Sequence, residues 1–243
     1  MAGAAIGRVA ESIRYPIKSM AGESLDSTVL GWHGLAGDRR FAFKRRETRG
    51  GFPWLSASRH PELLRYQPWG QDETSGETLP THVRGPGDVD LELGSDELNT
   101  QLSTQAGEPL ELMQLKHGIF DEGMVSVIAA STISAIGRAS GLAVDRRRFR
   151  PNVIVDAGTN TPFIEDGWVG GRLVFGDGPA APCLSVTLRD LRCMMINLDP
   201  DTGEHDARVM RATTQLNDNH AGVYATTVRT GVIRRGDQIR LDT

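Results

Sequence analysis

Arg192-Cys193-Met194-Met195-Ile196-Asn197-Leu198-Asp199-Pro200-Asp201-Thr202-Gly203-Glu204 is the stretch that decides what kind of fold this chain adopts. Its apolar run has the length of a short buried strand, and Asp-Pro-Asp-Thr-Gly has the composition of the turn that ends it. That order sets a cysteine at the start of a strand, beside an arginine. A neighbouring cation favours the thiolate form of a cysteine, the form that attacks electrophiles and ligates soft metals. The alternative is a small hydrophobe in the core next to a paired arginine.

The chain as a whole narrows the choice. Its 243 residues suffice for one large domain or two small ones, each able to bury a core. A formal net charge of −4 gives no support for a general nucleic-acid or anionic-membrane role. No apolar run has the length needed to span a bilayer, and the N-terminus lacks the order of a secretion signal, so a soluble, cytoplasmic protein is expected. Cys183 and Cys193 are the two cysteines, without C-x-x-C spacing. A disulfide framework is thereby excluded and a zinc site poorly supported, while a single Cys183–Cys193 bridge stays open and would suit an oxidising compartment. Lysine occurs only at Lys18, Lys44 and Lys116, against 27 basic residues in all. Arginine suits planar recognition of phosphate or carboxylate, although genomic base composition produces the same skew.

Outward from the central stretch, alternation predicts a strand over Val9–Tyr15, stopped by Pro16, then strands near Thr28–Leu30 and Arg39–Phe43. Residues 44–54 and 70–87 have loop composition, the first suited to a hairpin tip or flap. Between them Pro61 can open a short helix. Val89–Leu93 alternates as a strand. Ser95 then reads as the N-cap of a helix stopped by Gly107, and a soft domain boundary falls there, giving units over 1–94 and 95–243. Leu110–Leu115 and Val125–Ala129 are strand candidates, followed by a helix to Ser140. Arg146, Arg147 and Arg148 read as surface charge. Phe149-Arg150-Pro151-Asn152 leads into a buried strand and presents a guanidinium and an amide, as an anion site requires. Trp168 suits the core, Leu173–Phe175 a strand and 207–215 a short helix. The strands flanking Arg235-Gly236-Asp237 read as a hairpin closing a barrel. Many short strands and few helices make the fold class α+β, β-rich.

Several of these segments together resemble a known family. Tyr15-Pro16-Ile17-Lys18-Ser19, Gly37-Asp38-Arg39, Phe149-Arg150-Pro151-Asn152, Glu165-Asp166-Gly167-Trp168, Arg192-Cys193 with Asp199-Pro200-Asp201-Thr202-Gly203, and Gly222-Val223-Tyr224 follow the order seen in MOSC-domain proteins. The chain is similar to bacterial relatives of the mitochondrial amidoxime-reducing component, which implies an N-terminal β-barrel domain followed by a MOSC β-barrel. The resemblance further implies a molybdenum cofactor (Mo-molybdopterin), with Cys193 as metal ligand and catalytic residue. Lys18, Ser19, Arg39, Arg150, Asn152, Arg192 and Tyr224 match positions that hold the pterin and its phosphate. The implied activity is reduction of small N-hydroxylated substrates, amidoximes or N-hydroxy bases, with electrons from a separate electron-transfer protein, and with no nucleic-acid or membrane partner. Sulfur transfer through a persulfide on Cys193, and a non-catalytic molybdopterin carrier, are the alternatives.

Two departures bear on the site. Leu188-Arg189-Asp190-Leu191 precedes Arg192 where many relatives have Pro-Cys-x-Arg-Cys, so a second active-site thiol is not expected. Asp121-Glu122-Gly123-Met124 stands where relatives carry small hydroxyl residues, and Glu122 facing a phosphate would be unfavourable.

Overall fold

The computed structural model describes residues 3–49, 51–71, 78–118 and 122–243. Gly50 and residues 72–77 of the two expected loops lie outside these, as does Asp121. The first half of the chain forms β1 (Ala4–Arg14), β2 (Glu23–Leu25), β3 (Ser27–Gly31), β4 (Gly34–Leu35), β5 (Phe41–Arg45), β6 (Gln67–Trp69), β7 (His82–Arg84), β8 (Asp90–Glu92), α1 (Asp96–Ala106) and β9 (Leu110–Gln114). The second forms β10 (Val125–Ala129), α2 (Ala130–Ser140), β11 (Val153–Asp156), β12 (Arg172–Phe175), β13 (Cys183–Leu191), α3 (Arg208–Asn217), β14 (His220–Arg229), β15 (Gly231–Arg234) and β16 (Gln238–Asp242). Short 3-10 turns cover Pro61–Arg65, Arg146–Phe149, Ile164–Trp168 and Met194–Asn197.

Seven strands close a barrel in the order β11-β10-β14-β13-β12-β16-β1, with β1 returning to β11 and β2 added beside it. Strand β1 can serve three neighbours because its register shifts twice, between Ala5 and Gly7 and between Val9 and Glu11. Such bulges bend a strand and let it leave one partner for another. The interior follows from period-two alternation: Val125, Val127 and Ala129, Val153 and Val155, Val223 and Ala225 all enter one core. Ile128 and Ile154 point the other way, against Ile133 and Ile136 of α2 and Val209 and Ala212 of α3. Burying each such aliphatic side chain contributes about 1.5–3 kcal/mol, so helices on the outside and apolar residues inside stabilise the same strands from both faces.

A second core lies in the N-terminal half, where β5 pairs β9 and β6, β7 and β8 form a sheet. Phe41, Phe43, Tyr66, Leu91, Leu98, Leu102 and Leu110 meet there, so this core takes in α1 and β9 and continues past Ser95. Ser95 Oγ accepts from the Leu98 N–H at 3.2 Å and Gly107 ends α1 with φ of 71°, the capping pattern the sequence predicts. Two expectations change. His82–Arg84, inside a presumed loop, is strand β7, because Val83 is drawn into this core. The strands around Arg235-Gly236-Asp237 do not pair with each other: β15 joins β3, and β16 joins β1 and β12. Their turn is taken up instead by β1, with Gly236 N donating to Val9 O and Val9 N to Asp237 O. Among the described residues no helix is long and apolar enough to cross a membrane.

Candidate functional site

Strand β13 runs for nine residues and ends at Leu191, so the central stretch is not the strand its apolar pattern suggests. The Ile196 N–H donates to Cys193 O at 3.4 Å and the Leu198 N–H to Met195 O at 3.0 Å, which coils Met194–Asn197 into a 3-10 turn. Cys193 precedes that turn and is exposed, which removes the reading of a small hydrophobe in the core. Cys183 is buried at the other end of β13, and burial pushes its thiol up. The strand between them spans on the order of 30 Å, so the bridge left open by the sequence is not formed and both thiols are free.

The end of β13 is held by buried charge. Arg192 donates from Nε to Ala221 O at 2.6 Å and from Nη1 to Phe149 O at 2.8 Å, and its Nη2 lies 2.9 Å from Asp190 Oδ2. The guanidinium thus fixes the chain on either side of Cys193. Gly222 makes room for it: a Cβ there would come within 3.0 Å of Arg192 Nη2. Asp190 also accepts from Ser126 Oγ at 3.0 Å. Burial, the largest influence, pushes its carboxyl up, against Arg192, Ser126 and Tyr224, which draw it down.

The opposing residues come from two loops clamped together. Tyr15 N donates to Asp38 Oδ1 at 2.7 Å, Arg39 N to Tyr15 O at 2.7 Å, and Lys18 N to Phe41 O at 2.8 Å. Two guanidinium groups lie over the Tyr15 ring, Arg39 at 5.3 Å and Arg150 at 4.2 Å from its centroid, and burial raises its hydroxyl to about 12. Burial works against the charge of Arg39, yet ion pairing with Asp38 holds it above its ordinary value. Arg150 donates to Met20 O at 2.7 Å, tying the segment after Phe149 to the first of these loops. Ser19, Arg39 and Arg150 all have left-handed backbones, with φ of 68°, 47° and 49°. A side chain in that conformation costs roughly 1–2 kcal/mol, and such strain tends to concentrate at functional sites.

These elements enclose a cavity of about 390 Å³. Lys18, Ser19, Arg39, Arg150, Arg192, Cys193 and Tyr224 all line it. Asn152 does not: it is fully buried behind the wall, its amide donating to Ile13 O at 3.2 Å and its Oδ1 accepting from Ser126 N at 3.1 Å and Arg39 at 3.3 Å. Its geometry is that of a brace. Glu122 is exposed and outside the lining, and Gly123 lets Tyr224 lie close, since a Cβ there would meet the tyrosine at 2.6 Å.

Comparison with known proteins bears on the whole chain. A model of the MOSC N-terminal beta barrel domain matches residues 6–116, and a model of the MOSC domain matches residues 114–240. The chain belongs to the MOSC-domain family. MOSC domains are generally associated with binding of a molybdenum cofactor. The crystal structure of the YUAD protein from Bacillus subtilis is similar over 98% of this chain and 96% of that chain, with a TM-score of 0.52 and 12% identity, a likeness of fold. YiiM from Geobacillus stearothermophilus overlaps 50% of this chain and 55% of its own, with a TM-score of 0.36 and 15% identity. Comparison with curated proteins gives no match.

Sequence reasoning missed several residues of this MOSC cavity. Arg148, read as surface charge, lines it with a side chain only 8% exposed, donating to Asn197 O at 2.9 Å and to Asp199 at 2.8 Å. The Asp199-Pro200-Asp201-Thr202-Gly203 turn therefore anchors this arginine as well as ending a segment. Asp190, Ser126, Phe52, Ser56, Ser58 and Arg59 line it as well. Phe52 belongs to the expected hairpin tip, closed by the Lys44–Trp54 bridge, and its ring lies 5.2 Å from Lys18 Nζ.

Proposed function

We propose that this cavity holds a molybdenum cofactor and that the chain reduces small N-hydroxylated molecules, of amidoxime or N-hydroxy-base type, with electrons from a separate protein. One observation carries the reading: an exposed thiol, Cys193, shares a cavity with Lys18, Ser19, Arg39, Arg150, Arg192 and Tyr224. The donor set suits such a group. Among the described residues no three His, Cys, Asp or Glu side chains cluster to hold a metal. A metal at Cys193 would therefore arrive with most of its ligands, as one held by a dithiolene does, and a soft thiolate completes that set. Lys18, Ser19, Arg39 and Arg150 supply cations and a hydroxyl for the phosphate.

When bound, the cofactor supplies two-electron chemistry that converts N–OH to N–H with release of water. The chain's part is to bind and orient. Cys193 offers the sulfur; Arg192 locks the backbone on which it stands; Asn152 and Tyr15 hold Arg39 and Arg150 in place. Tyr224, hydrogen-bonded to Asp190, keeps an exchangeable proton at the cavity wall. Cys193→Ser, assayed with an amidoxime and an artificial reductant, should remain folded, lose activity and change the metal's absorption spectrum. A folded and fully active Cys193→Ser would sink the reading. A metal-free protein whose Cys193 peptide gains about 32 mass units, one added sulfur, would replace it with sulfur transfer.

A further inference from the structure

We infer that Ser56, Ser58 and Arg59 form a subsite for an oxyanion on the substrate, so that the preferred N-hydroxylated substrates are acids. The inference rests on the reading of the cavity given above and adds the class of molecule it takes. The segment leaves the hairpin tip as an extension of β5 pairing, with the Leu55 N–H donating to Phe43 O at 2.8 Å. Leu55 and Ala57 are buried in the N-terminal core, so alternation turns Ser56 and Ser58 to the cavity they line. Their hydroxyls lie 2.9 Å apart. One hydroxyl hydrogen is used in that contact and the other is left for a ligand. The Arg59 and His60 N–H groups both donate to Ser56 O, at 3.1 and 2.9 Å, a tight turn that fixes Arg59 at the rim.

Charge points the same way. Six cations line the cavity, Lys18, Arg39, Arg59, Arg148, Arg150 and Arg192, against one carboxylate, Asp190. Arg39 pairs with Asp38, Arg148 with Asp199 and Arg192 with Asp190, Arg150 donates to Met20 O, and Lys18 lies over Phe52. The Arg59 guanidinium makes no hydrogen bond or ion pair with the described residues. Arg148 Nε, on the same cavity, is buried without an acceptor among the described residues. A guanidinium without a partner among the described residues, beside two hydroxyls, is the chemistry that receives a carboxylate or phosphate oxygen. On the reading proposed above, Lys18, Ser19, Arg39 and Arg150 serve the cofactor's phosphate, which leaves this second cluster for the substrate.

The test compares benzamidoxime with para-carboxybenzamidoxime, two probes that differ by one carboxylate, by calorimetric binding and by reduction, on protein purified from a cofactor-competent host. The carboxylate should bind more tightly, on the order of tenfold, with a preference that shrinks as salt is raised. Arg59→Gln should bring the ratio of the two affinities toward one, Arg59→Lys should restore part of it, and Ser58→Ala should lower it less than Arg59→Gln does. Equal affinities in the wild type, or a ratio unchanged in Arg59→Gln, would overturn the subsite even if both probes are reduced. An Arg59-dependent preference without reduction of either probe would uphold the subsite and count against the reductase reading.

Discussion

On the barrel side of the cavity Arg192 is 8% exposed, Asp190 is 1% exposed, and Arg148 is sealed by Asp199, whereas on the side of the N-terminal half Phe52 and Arg59 are exposed and Ser56 and Ser58 only half-buried. The barrel wall consists of strand ends whose charges are tied to neighbours and to backbone carbonyls. The other wall consists of a turn whose polar groups touch little besides one another. On the proposed reading Cys193 meets a metal, and a metal ligand needs the first kind of support, because small displacements cost affinity and rate. A substrate pocket can be built on the second kind, where a side chain changes without disturbing the core.

The contrast can be broken most severely at Asp190. Asp190→Ala leaves Arg192 buried without its carboxylate and should cost about 3–5 kcal/mol in denaturant unfolding, since removing one partner of a buried pair strands the other. An unfolding midpoint within experimental scatter of the wild type would show that the barrel wall is not held in this way. Ser19→Gly works in the opposite direction. Glycine accepts the left-handed backbone that serine adopts only with strain, so stability should rise by about 1 kcal/mol while cofactor retention falls. A loss of stability would mean that the Ser19 hydroxyl outweighs the strain.

The smallest effect belongs to Glu11 on β1, which Arg146 holds below its ordinary value of 4.5 through hydrogen bonding. A carboxylate lowered in the folded state stabilises above its unfolded value and loses that contribution as pH falls through the folded one. Glu11→Gln should therefore reduce stability at neutral pH by less than about 1 kcal/mol, because Arg146 is nearly half-exposed, and should flatten the acid side of the stability profile. An acid limb identical to the wild type would remove Glu11 from the account.

Much of the barrel was open to reading because several of its strands, Val125–Ala129 among them, carry their own apolar pattern, and α1 carries both its caps. The path of β13 was not, since Arg189 and Asp190 look like loop residues. Asp190 is tolerated inside the sheet by Ser126, 64 positions away, a partner no local pattern reveals. The pairing of β15 with β3 was hidden for a related reason: strands adjacent in sequence usually pair, and only the long-range docking of the turn on β1 separates them. Within the site, the order of short motifs picked out the residues on the clamped loops and strand ends. Asn152 carries an anion-binding amide in the same motif, yet the amide is used up by backbone groups across the sheet. Ser56, Ser58 and Arg59 have no motif, and stand out only because Arg59 has no partner among the described residues of the cavity.

The most direct test of the central claim is the molybdenum content of the protein purified from a molybdate-supplied, cofactor-competent host, beside Cys193→Ser. The account predicts near-stoichiometric molybdenum in the wild type, with content reduced or its spectrum altered in the variant. Absence of molybdenum from both proteins, with an added sulfur on Cys193, would contradict it.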